Sequence, residues 1–195
     1  MHHQDIIVRD RRVELGGVPA RTHLTIVNTD AETPLQTVFS TVRSVAHAGA
    51  VRSLMIICHG MARKNELDRV SMEGGGMGLL LGRERVTNAN VSLWRAIEGC
   101  VQNIVVYACR AAQTLPGNEG TGADGRYLMG ALAIHARANV YAPDAIQGYQ
   151  MYKDFDHGRF LMGNWEGNLW KFPRTGVGAE LVAQAPTELH QILGR

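Results

Sequence analysis

The chain has little of what would assign it to a special class. It carries three cysteines, at positions 58, 100 and 109, an odd number without the close pairing of a metal site. Neither a disulfide framework nor a zinc cluster is expected from that pattern, and a reducing compartment would keep the thiols available. Charged residues make up only 19% and the formal net charge is +2, so there is no electrostatic footprint for nucleic acid. The run Arg9-Asp10-Arg11-Arg12 contains an acid and reads as a solvated strand or loop. No stretch approaches the roughly 18 consecutive apolar residues of a membrane span. Residues 1–5 lack the apolar centre of a signal peptide. A soluble, cytoplasmic protein with no membrane partner is therefore expected, unless a specialised secretion system exports it. The eight histidines are scattered without acidic partners at ligand spacing, so no metal site and no cofactor are assigned.

What is present is enough apolar material for a full core. Hydrophobic residues are 45% of 195, which suits a single domain over 1–195, its core at about 22–150 and completed by 151–195. Residues 22–28 read as a first core strand, with an edge ribbon over 6–9 and 13–15 before it. Thr33-Pro34 marks a helix start, and Leu35, Val38, Phe39, Val42, Val45 and Ala46 recur at helical spacing to about Ala48. Residues 61–77 turn polar and glycine-rich and read as a long surface loop, followed by a short strand or ribbon at 78–81. Asn90 can cap a helix to about Glu98, ended by Gly99. Residues 126–137 read as a helix, 139–142 as a strand, 165–172 as a last strand and 187–188 as the start of a final helix. The alternation implies an α/β sheet with helices on both faces. The glycine run 73–78 neither follows a convincing strand nor opens a helix, which excludes a nucleotide loop and leaves a flexible flap or plain surface loop.

Two apolar runs stop on residues that can do chemistry. Leu54-Met55-Ile56-Ile57-Cys58 leads into His59-Gly60, and Ile104-Val105-Val106-Tyr107-Ala108 leads into Cys109-Arg110. Short β-branched runs of this kind read as buried parallel strands, whose carboxyl ends are where open α/β sheets bind ligands. The pair reads as a cysteine nucleophile with a histidine to move its proton. Thiolate attacks carbonyl carbon well, and histidine changes charge near neutral pH. Gly60 lets a backbone donor approach the developing oxyanion, and the Cys109 amide is a second candidate donor. Cys58, inside its strand, and Cys100, at a helix end, read as structural.

An apolar strand, His-Gly, about fifty residues, then an apolar strand and Ala-Cys resembles the caspase–gingipain–legumain clan of cysteine peptidases. Ala108-Cys109-Arg110 is similar to the Ala-Cys-Arg of caspases, and the stretch between the two strands is closer to the bacterial caspase-like branch that includes CHAT domains. The resemblance covers about 22–150. It implies a caspase-like three-layer sandwich, with a mostly parallel sheet of about six strands and helices on both faces. It also implies a His59–Cys109 dyad, an oxyanion hole from the Gly60 and Cys109 amides, and a protein or peptide substrate. Caspases continue with glycine where this chain has Ala111, so caspase specificity for aspartate is not implied.

Val140-Tyr141-Ala142-Pro143-Asp144 ends a strand expected beside the cysteine strand. In several clan members an acid at the corresponding place receives a basic side chain before the scissile bond, which nominates Asp144; its alternative is a turn residue after proline. Asp124, Asp154 and Asp156 are other candidates for that role. Residues 116–125, with four glycines, are expected to be poorly constrained, and Arg110 and Arg126 are candidate self-cleavage points. Trp165, Trp170 and Phe172 read as a core edge. The expected activity is a thiol endopeptidase cleaving after basic residues; the alternative is a catalytically inactive caspase-like regulatory or partner-binding module. No oligomeric state is assigned.

Overall fold

The computed structural model describes residues 4–13, 24–48, 51–64, 72–148, 151–154, 159–162 and 165–184. Its centre is a seven-stranded sheet. Five strands run parallel: β1 (Gln4–Asp10), β2 (Leu24–Thr29), β3 (Val51–Ile57), β6 (Val101–Tyr107) and β7 (Asn139–Pro143). Between β3 and β6 in the chain lie β4 (His59–Lys64) and β5 (Met72–Leu80), an antiparallel pair of their own. A second small pair, β8 (Met151–Asp154) and β9 (Arg159–Met162), follows β7. β10 (Asn168–Phe172) and β11 (Glu180–Gln184) then return to the large sheet, β10 antiparallel to β7. The order across it is β11-β10-β7-β6-β3-β1-β2.

The chain therefore begins in the sheet, steps out to β2, and comes back to the other side of β1. β1 and β3 are neighbours whose onward connections leave in opposite directions. Open α/β sheets bind ligands at the carboxyl ends of the strands where the order reverses in this way.

Alternation sorts the side chains. Ile6, Val8, Leu54, Ile56, Ile104, Val106, Val140 and Ala142 share one face, and the three described helical elements pack on it. These are α1 (Leu35–Ala48), a 3-10 helix (Val91–Ile97) and α2 (Gly125–Ala136). Phe39 of α1 meets Trp94 of the 3-10 helix edge-on, with ring centroids 5.3 Å apart. Ile7, Ile57, Val105, Tyr107, Tyr141 and Leu169 form a second buried cluster on the opposite face, with Val13 and Trp165. Among the described residues no helix covers that face.

Several boundaries differ from the sequence reading. Residues 6–9 are not an edge ribbon. β1 lies between β3 and β2, with Ile6, Ile7 and Val8 all buried, the near-continuous apolar run of a parallel strand closed on both faces. The first core strand expected at 22–28 is the outer strand β2, over Leu24–Thr29. Within the loop expected over 61–77, the described residues 61–64 and 72–77 belong to the β4–β5 pair, and β10 is followed by one more strand. The helix expected at 187–188 lies outside the described residues. Trp165 and Phe172 are buried, as core-edge residues should be.

Candidate active site

Strand register sets His59 and Cys109 at the same level beyond the ends of neighbouring strands. β3 and β6 pair in parallel with Ile57 opposite Tyr107, so the chain leaves both strands at the same level, and His59 and Cys109 each come two residues later. The contact that follows is close. A β-carbon on Gly60 would lie 1.8 Å from the Cys109 carbonyl oxygen and 2.9 Å from its carbonyl carbon. No side chain fits there, so glycine at 60 is what lets the two main chains touch. The two segments nominated for the oxyanion hole thus touch, with the Cys109 carbonyl oxygen, rather than its N–H, nearest to Gly60.

His59 is turned by a main-chain group. Its Nε2 lies 2.9 Å from the Arg12 carbonyl oxygen, just beyond β1. A carbonyl only accepts, so Nε2 carries a hydrogen, and in the neutral form of the ring the lone pair is then on Nδ1. The bond links the ends of β1 and β3, where the strand order reverses.

Arg12 is in turn held by Asp10. The Asp10 carboxylate is fully buried. Its Oδ1 accepts from Arg12 N at 3.1 Å and Arg12 Nε at 2.7 Å. Its Oδ2 accepts from Arg12 Nη2 at 2.7 Å, Gly82 N at 3.0 Å and Thr29 Oγ1 at 3.2 Å. Arg12 Nη2 also reaches Gly82 O at 3.0 Å. Burial alone would push this carboxyl up. The hydrogen bonds from the Arg12 side chain, the Arg12 N–H and the Gly82 N–H outweigh it and hold the group below its ordinary range. The run read as a solvated strand or loop therefore contains a two-pronged ion pair whose carboxylate is buried and whose guanidinium is partly exposed.

Cys109 is half-buried against the segment after β7. Its Sγ accepts from Gln147 N at 3.4 Å and lies 3.7 Å from Gln147 O. Around it, Arg110 N donates to Ala145 O at 2.7 Å, Ala112 N to Pro143 O at 2.8 Å and Tyr107 Oη to Gly148 O at 2.6 Å. The buried Gln147 side chain pairs with the main chain of Glu166, donating from Nε2 to its oxygen at 2.7 Å and accepting its N–H at 3.1 Å. Arg110 has a φ of 53°, a left-handed turn that reverses the chain directly after the nucleophile candidate. Cys58 is fully buried and its thiol is pushed well up by that burial. Burial likewise raises Cys100.

Asp144 stands at the end of β7, half-buried and tied to β10. Its Oδ1 accepts from Asn168 N at 2.9 Å, and its Oδ2 from Asn168 Nδ2 and Trp170 Nε1, both at 2.9 Å. Asp124 is not a pocket acid: it caps α2. It accepts from Tyr127 N at 3.0 Å, Thr114 Oγ1 at 2.6 Å and Gly120 N at 2.7 Å. Those bonds overcome burial and keep its carboxyl below the ordinary range. They also pin the loop over 116–125, which its glycines alone suggested was loose. The Asp154 side chain and Asp156 lie outside the described residues. Neither self-cleavage candidate offers an extended bond. Arg110 precedes buried Ala111 in a tight turn, and Arg126 is in the first turn of α2, its guanidinium 3.9 Å from the Trp170 ring.

The glycine run belongs to the site as well. Gly75 N donates to Gln113 Oε1. β-carbons at Gly75 and Gly76 would lie 2.2 Å from Arg110 Cβ and 2.1 Å from Gln113 O. The run lets β5 press on the turn that follows Cys109, which is neither flap nor plain loop. Among the described residues no cluster of three or more histidine, cysteine, aspartate or glutamate side chains is suited to a metal ion.

Two contributors escaped the sequence reading. Arg12 acts through its carbonyl, which no residue type announces. Gln147 follows a strand by four residues in an unremarkable stretch. No protein-family model matches the chain, and neither the curated proteins nor the solved structures include a match.

Proposed function

We propose that the chain is a cysteine endopeptidase of the caspase–gingipain–legumain type, nearest its bacterial caspase-like, CHAT-like branch. Cys109 Sγ attacks the scissile carbonyl carbon while its proton passes to His59. The carbonyl π pair moves onto oxygen, facing the Gly60 and Cys109 main chain, where amide N–H groups would stabilise the oxyanion. Collapse of the tetrahedral species breaks the C–N bond, and His59 returns the proton to the departing amine. Water, deprotonated by His59, then hydrolyses the thioester and restores the thiol.

The observation that carries this reading is the contact of Gly60 with the Cys109 carbonyl, at strand ends held level by the β3–β6 register. The imidazole fixed by Arg12 supports it, because a neutral ring with its hydrogen on Nε2 has one nitrogen able to take a thiol proton. A preference for lysine or arginine before the scissile bond belongs to the proposal. Asp144 accepts three hydrogen bonds, and a carboxylate has about four acceptor positions, so one remains for a cationic side chain.

The test is a proteome-derived peptide library incubated with the protein, with the new termini read by mass spectrometry. Cleavage after lysine and arginine is expected. Cleavage after other residues would remove Asp144 from the pocket and leave the peptidase intact. No cleavage of any sequence would overturn the peptidase reading in favour of the inactive binding module.

A further inference from the structure

We infer that the Asp10–Arg12 pair, its carboxylate buried, is a positioning device for His59, holding the Arg12 carbonyl where it fixes the tautomer and direction of the imidazole. The kinetic half of this rests on the peptidase reading; the structural half does not.

The turn after β1 is closed twice. Val13 N donates to Asp10 O at 3.0 Å, and Arg12 N donates to Asp10 Oδ1 at 3.1 Å. Val13 N–H and Arg12 C=O belong to one peptide plane and point opposite ways. Aiming that N–H back at Asp10 therefore aims the carbonyl outward, toward His59 Nε2 at 2.9 Å. The guanidinium then locks the plane. Its Nε and Nη2 each reach a different oxygen of Asp10 at 2.7 Å, and Nη2 continues to Gly82 O at 3.0 Å.

Gly82 also donates its N–H to Asp10 Oδ2, and Thr29 at the end of β2 donates its hydroxyl there. One carboxylate thus joins the end of β1, the end of β2 and the turn after β5. β5 pairs with the strand that His59 opens, with His59 opposite Leu80. The ring and the carbonyl that orients it are referenced to the same frame from both sides. Burying a carboxylate is a costly way to fill space, since apolar residues of similar volume pack as well or better. A two-pronged pair does supply direction, because the planar guanidinium fits a carboxylate in only a few geometries.

The test uses the full chain with Arg12→Met and with the double variant Asp10→Asn/Arg12→Met, which leaves no uncompensated buried charge. Arg52→Met is the control. It removes an ion pair to Asp5 on the same two strands, remote from His59 along the strand. The first readout is the tautomer of His59 from its imidazole nitrogen shifts. The wild type is expected to hold the hydrogen on Nε2; both Arg12 variants are expected to populate the two tautomers together, and Arg52→Met to match the wild type.

The second readout is cleavage of a library-derived peptide. In the Arg12 variants kcat is expected to fall roughly tenfold to a hundredfold, as for a displaced catalytic group. KM should stay within about twofold, because no substrate contact is removed. A folded double variant that keeps the wild-type tautomer and kcat overturns the inference. So does unfolding of both Arg12 variants where Arg52→Met folds, since the pair then holds the fold rather than the ring. A wild type that cleaves nothing overturns the peptidase reading alone, and the tautomer measurement still decides this one.

Discussion

A β-carbon at position 60 would lie 1.8 Å from the Cys109 carbonyl oxygen, so Gly60→Ala must part the two segments that form the site. Peptide cleavage is expected to fall by at least about a hundredfold, the scale of a displaced catalytic contact. Far-UV circular dichroism should stay close to wild type, because the change is at a strand end. The three thiols should separate just as sharply. Cys58 is sealed in the core with its thiol pushed up by burial, and Cys100 is raised by burial too. Cys58→Ala and Cys100→Ala should therefore keep substantial turnover, whereas His59→Ala should lose it. Asp144→Asn bears on specificity. If the carboxylate meets a basic side chain, the substitution should lower kcat/KM on lysine or arginine substrates about tenfold or more and barely change neutral ones. It also places an amide among the N–H groups of Asn168 and Trp170, so the melting temperature must be read beside the kinetics. His59 and Cys109 are legible in the sequence because each ends an apolar run on a reactive residue. Arg12 and Gln147 are not, because each acts at least in part through main-chain atoms.

The elements around the site repeat that division between pattern and contact. α1 is legible at 35–48 because apolar residues recur along one face and Thr33-Pro34 marks its start, and α2 is read to within a residue at both ends. β5 is hidden. Its glycines suppress any strand pattern, yet they are what permit a backbone-to-side-chain approach at Gly75 and a backbone-to-backbone approach at Gly76. Gly76 also has a φ of 78°, which a side chain disfavours, and its β-carbon would lie 2.1 Å from Gln113 O. Gly76→Ala should cost on the order of 1–3 kcal/mol by overpacking and strain. It should also weaken cleavage by moving the turn after Cys109, a paired loss that a plain surface loop would not show. Asp124→Ala removes the α2 cap together with the acceptor for Thr114 and Gly120. About 2 kcal/mol of stability should go with it, read from urea unfolding.

Over the whole molecule, the reversal of strand order between β1 and β3 puts the candidate site at the carboxyl edge of the sheet, joined by His59 and Arg12. The apolar runs of β3, β6 and β7 make that sheet legible. The interior place of β1 is harder to read, because only Ile6, Ile7 and Val8 separate Asp5 from Arg9. Acid should be the weakness of this architecture. Asp10 and Asp124 both hold their carboxyls below the ordinary value of 3.8. Between the folded and the unfolded pKa the unfolded chain binds more protons, so the stabilisation is complete above the unfolded value and is lost as pH falls through the folded ones. The melting temperature should be nearly level above about pH 5 and drop steeply below about pH 4. Asp124→Asn should flatten that drop. The central claim is that Cys109 is the nucleophile of a peptidase, and it is tested most directly by the initial cleavage rate of one library-derived peptide with wild type and Cys109→Ala side by side. Loss of at least about a thousandfold in a variant that melts like wild type is the expected result. An undiminished rate in Cys109→Ala would contradict the account.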